Sequence, residues 1–462
     1  MTKATRITLF SLGAILLTVL TIFPDLISQA LAAAAPAPDV AGDNHDAFIV
    51  LGILGVAAIL FFTELFPLPV TAMLVPTALS LFGILTAKEA YSHFGDTSVV
   101  LFMAMFILGE GTFTTGFANR VGEYTIRLAA GSEKKLLLYS VISIGGLSCF
   151  LSNTGTTAVA LPMILAMCSA AKINPGKILM PVAFASSLGG TCTLVGTPPN
   201  LLINSALAQM GTEVGTHPFG FFEFGLIGVP LFIMGIVFYA TIGRKFLSET
   251  IAHIDPEEMD LREVKNLRTK KMPIAVAIFL FVIVAMATKI LPLNTAAMLG
   301  AMLMIMTRCI TMREAFRSID WTTIFLFAGM ISMSSAMQRS GAAALIATNV
   351  VHLVSDPYAI LAVTCALTMI ITNFMSNTAT AALMAPLAIP IAIQSGVSPL
   401  PIAMGIAMAA SACFLTPIAT PPNTLVFGPG NYNFMHYLKA GWLLQILSFI
   451  MCVTIIPLIW PF

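Results

Sequence analysis

An all-α polytopic membrane protein built on an inverted repeat is the fold class this sequence predicts, with about 11 transmembrane helices plus two re-entrant hairpins, five helices and one hairpin to each repeat. Three observations carry that expectation. The 462 residues are 58% hydrophobic and 9% charged, and uncharged runs of about 20 residues recur along the chain. Ser-Asn-Thr occurs twice, as Ser152-Asn153-Thr154 and Ser376-Asn377-Thr378, 224 residues apart. Thr-Pro-Pro-Asn follows each copy, as Thr197-Pro198-Pro199-Asn200 and Thr420-Pro421-Pro422-Asn423, 223 residues apart. Polar, helix-breaking sequence within apolar runs is tolerated only around a protein-lined cavity, because unpaired backbone in hydrocarbon is costly.

Taken in order, Lys3 and Arg6 precede an uncharged run at 7–23, followed by Ala30-Leu31-Ala32 and an Ala/Pro-rich stretch. The pattern fits both a retained first helix and a signal peptide with a small-residue cleavage site. Single apolar spans follow near 47–66, 70–87, 98–118, 177–209, 221–243, 273–291, 294–311, 321–338, 399–427 and 441–460. Two longer stretches, 136–171 and 357–395, exceed one crossing and carry Ser-Asn-Thr at their centres, which makes each a hairpin with the motif at its tip. Pro67-Leu68 and Ala72-Met73-Leu74 match Pro292-Leu293 and Ala297-Met298-Leu299 at an offset of 225, so the repeat extends beyond the motifs. An odd number of crossings per repeat inverts the second relative to the first.

Charge placement supports this layout. With a cytoplasmic N-terminus, and hence the C-terminus outside, only Lys88, Lys289 and Arg339 of the 22 Lys and Arg fall outside. Residues 246–272 form the long charged connector between the halves. A net charge of +1 gives no case for nucleic acid, and the seven cysteines (Cys149, Cys168, Cys192, Cys309, Cys365, Cys413 and Cys452) show no metal or disulfide spacing. No nucleophile stands beside a base, so an enzyme is not expected.

A hairpin tip exposes the carbonyls that end one half-helix and the N–H groups that begin the next. Carbonyls with an Asn oxygen make a neutral site for a monovalent cation, while N–H groups and hydroxyls suit an anion. A hydroxyl residue stands five positions before each tip Asn, as Ser148 and Thr372. The Pro-Pro breaks free further carbonyls in the fifth and tenth crossings. Glu110 is the only ionisable residue well inside a span, and its role is left open between proton coupling and a structural position. No span interior carries Lys or Arg, so bound cations are the expected counter-charges for an anion.

These motifs, with the run from Ala410 through Asn423 to Val426, resemble the divalent anion:sodium symporter family over nearly the whole chain. The resemblance implies sodium-coupled symport of a small dicarboxylate, most simply a C4 acid such as succinate, or exchange, or transport of citrate, 2-oxoglutarate or sulfate. It implies one sodium site at Ser148, Ser152, Asn153 and Gly196, and another at Thr372, Met375, Asn377 and Ala419. Substrate would meet Ser152, Asn153, Thr154, Thr197, Pro198, Ser376, Asn377, Thr378 and Thr420. No cofactor is implied beyond sodium as the coupling ion. The family's fold implies a homodimer in the cytoplasmic (inner) membrane, with scaffold segments at 1–130 and 272–354. A transport domain at 131–271 and 355–462 would move against them like an elevator.

Overall fold

The computed structural model describes residues 45–129, 132–171, 173–210, 217–247, 267–345 and 356–462. The first predicted helix and most of the charged connector lie outside these residues. Among the described residues the chain is helical, without strands. The first half comprises α1 (His45–Thr63), α2 (Leu68–Leu81), α3 (Ala87–Ser92), α4 (Thr97–Thr114), α5 (Phe117–Ala129), α6 (Glu133–Ser148), α7 (Asn153–Ala171), α8 (Leu179–Gly190), α9 (Pro198–Met210) and α10 (Gly225–Ala240). The second comprises α11 (Met272–Ala287), α12 (Leu293–Met306), α13 (Met312–Ser318), α14 (Trp321–Arg339), α15 (Pro357–Thr372), α16 (Asn377–Gln394), α17 (Pro399–Ser411), α18 (Pro421–Phe427) and α19 (Phe434–Ile459).

The repeat is written into the turns. Among the described residues four non-glycine residues have positive φ, and two of these, Glu64 and Lys289, close α1 and α11 at 48° and 56°. Gly83 and Arg308 do the same after α2 and α12, and Gly116 and Gly341 after α4 and α14. Every one of these pairs is offset by 225, so the second half keeps the left-handed turn even where its residue is not glycine. Thr86 with Glu89 and Thr311 with Glu314 form capping boxes at the starts of α3 and α13, again 225 apart.

Small residues bring the helices together, as expected where lipid supplies no hydrophobic drive between them. A Cβ on Gly329 of α14 would lie 2.2 Å from the Ala72 carbonyl of α2, and one on Gly111 of α4 would lie 3.0 Å from Met304 of α12. Helices of opposite halves therefore pair. The hairpins α6–α7 and α15–α16 pack with α8, α9 and α17, α9 lies against α16 of the other half, and α14 packs on both α9 and α16.

Two features depart from the simple span list. Helix α5 is amphipathic, with Ala118, Gly122 and Thr125 on one face against the hairpin and Arg120 and Glu123 on the other. Thr125 Oγ1 lies 2.7 Å from Ser143 Oγ of α6, and Gly122 abuts Met163 of α7. Arg268, at the end of the connector, makes paired bonds of 2.8 and 2.9 Å to Glu314, and its N–H donates to Thr114 O at 3.0 Å. Residues 267–271 are thus fastened to α4 and α13. Arg339 holds Glu89, the repeat counterpart of Glu314, at 2.7 Å.

Candidate functional site

Each hairpin breaks because its tip serine starts a new helix. Ser376 caps α16, its hydroxyl accepting from Ala379 N at 3.2 Å, and Ser152 Oγ accepts from Gly155 N at 3.5 Å. The Thr-Pro-Pro-Asn motifs act alike. Their prolines occupy the first turn of α9 and α18, where the absent N–H costs nothing, so each motif restarts a helix after an irregular loop.

Both tips and both restarts open on one cavity of about 510 Å³. Ser152, Asn153, Thr154, Gly196, Thr197 and Pro198 line it from the first half, and Ser376, Asn377, Thr378 and Thr420 from the second. Every substrate residue expected from sequence is therefore brought together. Helix α4 adds an aromatic wall of Phe102, Phe106 and Phe113 together with Glu110, and α14 adds Asp320, Thr322 and Thr323. Asp320 caps α14, accepting from Thr322 N at 3.0 Å and from the Thr323 hydroxyl at 2.5 Å. No Lys, Arg or His lines the cavity among the described residues.

Helix direction substitutes for fixed positive charge. The helices α7, α9, α16 and α18 all begin at the cavity wall, so the positive ends of their dipoles face its interior. The opposite ends serve cations. One terminal atom of the Asn153 amide lies 2.7 Å from Ser148 Oγ, 3.1 Å from Ser186 O and 3.2 Å from Gly196 O. If that atom is nitrogen it donates to these groups; if it is oxygen, four oxygens converge and a cation is the natural partner, and heavy-atom positions accommodate both. In the second half the Thr372 hydroxyl donates to Ala410 O at 2.6 Å and lies 3.1 Å from Asn377 Oδ1. Ser186 and Ala410 are 224 apart, so the same carbonyl is used twice.

Ser148, Asn153 and Gly196 thus meet as expected, as do Thr372 and Asn377. Ser152 caps its helix and faces the cavity, while Met375 and Ala419 are buried in the tip and the loop, 2% and 1% exposed. The carbonyls of Ser186 and Ala410 were not foreseen. A backbone carbonyl leaves no mark in sequence, although their position near the ends of α8 and α17, at the repeat offset, is a usable signal.

A cavity closed by two mirrored hairpins and two interrupted helices, within an all-helical apolar body, defines a membrane transporter rather than an enzyme. The chain belongs to the citrate transporter family, which matches residues 58–392 and 333–462 and is related to the symporters that the motifs resemble. The uncharacterized transporter YfbS of Escherichia coli is 26% identical over 613 aligned residues, covering 91% of this chain and 100% of that protein. The sodium-dependent dicarboxylate transporter SdcS of Staphylococcus aureus is 24% identical over 449 residues, covering 89% of this chain and 86% of its own. The crystal structure of the Alcanivorax borkumensis YdaH transporter shares the fold, with a TM-score of 0.60 at 13% identity over 90% of this chain and 99% of that one.

Proposed function

We propose that this protein carries a divalent anion, a C4-dicarboxylate such as succinate, into the cell in symport with sodium ions. The observation that carries the reading is the pairing of two mirrored clusters of hydroxyl and carbonyl groups around the Asn153 and Asn377 amides with one cavity that has four helix N-termini and, among the described residues, no basic side chain. An anion bound there needs counter-charge, and cations at Asn153 and Asn377 supply it within hydrogen-bonding reach of the same tips. The relative SdcS, by its name, couples a dicarboxylate to sodium. The hairpin unit moves as an elevator in the cytoplasmic membrane against the scaffold formed by the α2–α14 and α4–α12 pairs, with the boundary ahead of Leu267, and the scaffold holds the homodimer contact. Citrate is the second reading, favoured by the family match.

Labelled succinate uptake into proteoliposomes, with sodium, potassium or choline and with unlabelled succinate, malate, citrate, 2-oxoglutarate and sulfate as competitors, tests both. We expect uptake only with sodium and strongest competition by C4 acids. Full uptake without sodium would sink the coupling, and dependence on pH alone would transfer it to Glu110.

A further inference from the structure

A second set of mirrored contacts holds the two breaks, and neither the cavity nor the oxygen clusters use its side chains. In the first half the Thr193 hydroxyl donates to the carbonyl of Cys149, at the end of the hairpin's first arm. The Asn200 amide then donates to the carbonyl of Thr193 at 2.8 Å and to that of Gly190 at 3.4 Å. In the second half the Thr416 hydroxyl donates to Asn373 O at 2.5 Å, and the Asn423 amide to Thr416 O at 3.0 Å and Cys413 O at 2.9 Å. All four side chains are buried, at most 3% exposed.

What these contacts grip is telling. Gly190 is the residue pressed against the tip of the first half, where a Cβ would come within 2.4 Å of Asn153 Oδ1. Cys413, fully buried, occupies the matching place at the repeat offset. The same loop carries Gly196, whose carbonyl belongs to the cluster around Asn153. In each half, therefore, one Thr ties the loop to the hairpin and one Asn ties the loop to its own helix restart.

We infer that Thr193 with Asn200, and Thr416 with Asn423, are latches that set cation affinity by holding each break loop against its hairpin tip. They are positioning residues. The inference rests on the sodium reading above. An unlatched loop samples many conformations and must be ordered each time a cation binds, which weakens binding without removing a ligand. At saturating sodium the assembled site is the same, so the maximal rate is preserved.

The two latches differ in support. The second loop has additional side-chain braces: Asn373 Oδ1 accepts from Leu415 N at 2.9 Å, Gln445 donates to Ala412 O at 2.7 Å, the Thr424 hydroxyl donates to Pro417 O at 2.9 Å, and the Tyr437 hydroxyl donates to Asn423 O at 2.7 Å. The first loop is met instead by backbone, through Leu194 N to Phe221 O at 3.0 Å and the close approach of Gly228 to Thr191 O. Loss of the first latch should therefore be felt more.

The test uses purified full-length protein and two readouts: the sodium-dependent rise in melting temperature in detergent, which requires no knowledge of the anion, and uptake against sodium concentration. Thr193→Val should raise the sodium concentration for half effect about tenfold, with the maximal uptake rate within about twofold of wild type. Thr416→Val should raise it about threefold, and Thr193→Ser should restore the wild-type value. An unchanged half-effect concentration in Thr193→Val overturns the inference, as does a fall in maximal rate alone. If Thr193→Val does not yield folded protein, Thr193→Cys and Thr416→Val decide by the same criterion. A wild-type protein that ignores sodium in both readouts sinks the sodium reading, whereas a sodium-responsive wild type with sodium-responsive variants of equal affinity sinks only the latches.

Discussion

The oxygen clusters around Asn153 and Asn377 share a backbone and differ in what fills the space beside the amide. Beside Asn153 stands Gly190, without a side chain, and the break loop behind it is pressed into place by the glycines of α10. At the matching place in the second half stands Cys413, a fully buried residue, and the loop behind it is bonded by side chains at the end of α15 and on α19. Behind the Thr and Asn bonds common to both halves, one half secures its loop by close approach of backbones and the other by additional side-chain hydrogen bonds. Pseudo-symmetry thus preserves the positions of carbonyls and tips while leaving each half free to solve the packing behind them. Two ions bound at such sites need not have equal affinity.

The largest effect that would break this comparison is the transplant of one solution into the other. Gly190→Cys places a Cβ 2.4 Å from Asn153 Oδ1 and 2.9 Å from Nδ2, which displaces the amide from Ser148 and Gly196. Uptake should fall about a hundredfold or more, the scale of a misplaced binding group. Wild-type uptake in a folded Gly190→Cys protein would show that Asn153 is not bound as described. Next come the amides themselves. Asn153→Ala and Asn377→Ala should weaken succinate binding by about 1 to 3 kcal/mol each, and to a comparable degree, since both halves use the amide alike. Asp at either position should be worse, because its charge opposes the dianion. Equilibrium binding across a sodium titration measures both, and wild-type behaviour in both Ala variants would reduce the tips to helix caps.

Smaller effects sharpen the contrast. Tyr437→Phe removes only the hydroxyl bonded to Asn423 O and should cost about 1 kcal/mol, read as a few-fold rise in half-saturating sodium. The smallest change belongs to Cys413→Ala, which keeps a Cβ at that place and should leave sodium dependence within about twofold. A large loss there would mean that the thiol itself is a ligand.

Much of this was legible beforehand, and for a definite reason. Ser152, Asn153, Ser376, Asn377 and the two Thr-Pro-Pro-Asn breaks are polar residues within otherwise apolar runs, and a doubled polar pattern at one offset has few explanations other than a shared cavity. The hydroxyl five residues before each Asn was equally plain, and Ser148 and Thr372 stand where expected. What escaped notice carries weaker marks. The carbonyls of Ser186 and Ala410 have no residue signature. Helices α3 and α13 fall between the predicted spans, although Thr86 with Glu89 and Thr311 with Glu314 announce a helix start at the repeat offset. Helix α5 likewise falls between predicted spans, because its charged face, with Arg120 and Glu123, interrupts the apolar run.

One contact between the halves bears on how the protein is made. The Tyr432 hydroxyl donates to Gly176 O at 2.6 Å and accepts from Met180 N at 2.9 Å, closing the turn between α7 and α8 from 256 and 252 residues away. Until the ribosome reaches Tyr432, that turn lacks its partner. At about 5 to 20 residues per second the interval is roughly 13 to 50 seconds. The first hairpin therefore waits, incompletely bonded, through the synthesis of nearly the entire second half. Its completion waits for the segment around Tyr432, and truncations ahead of Tyr432 that spare every motif of the first half should still leave it unassembled.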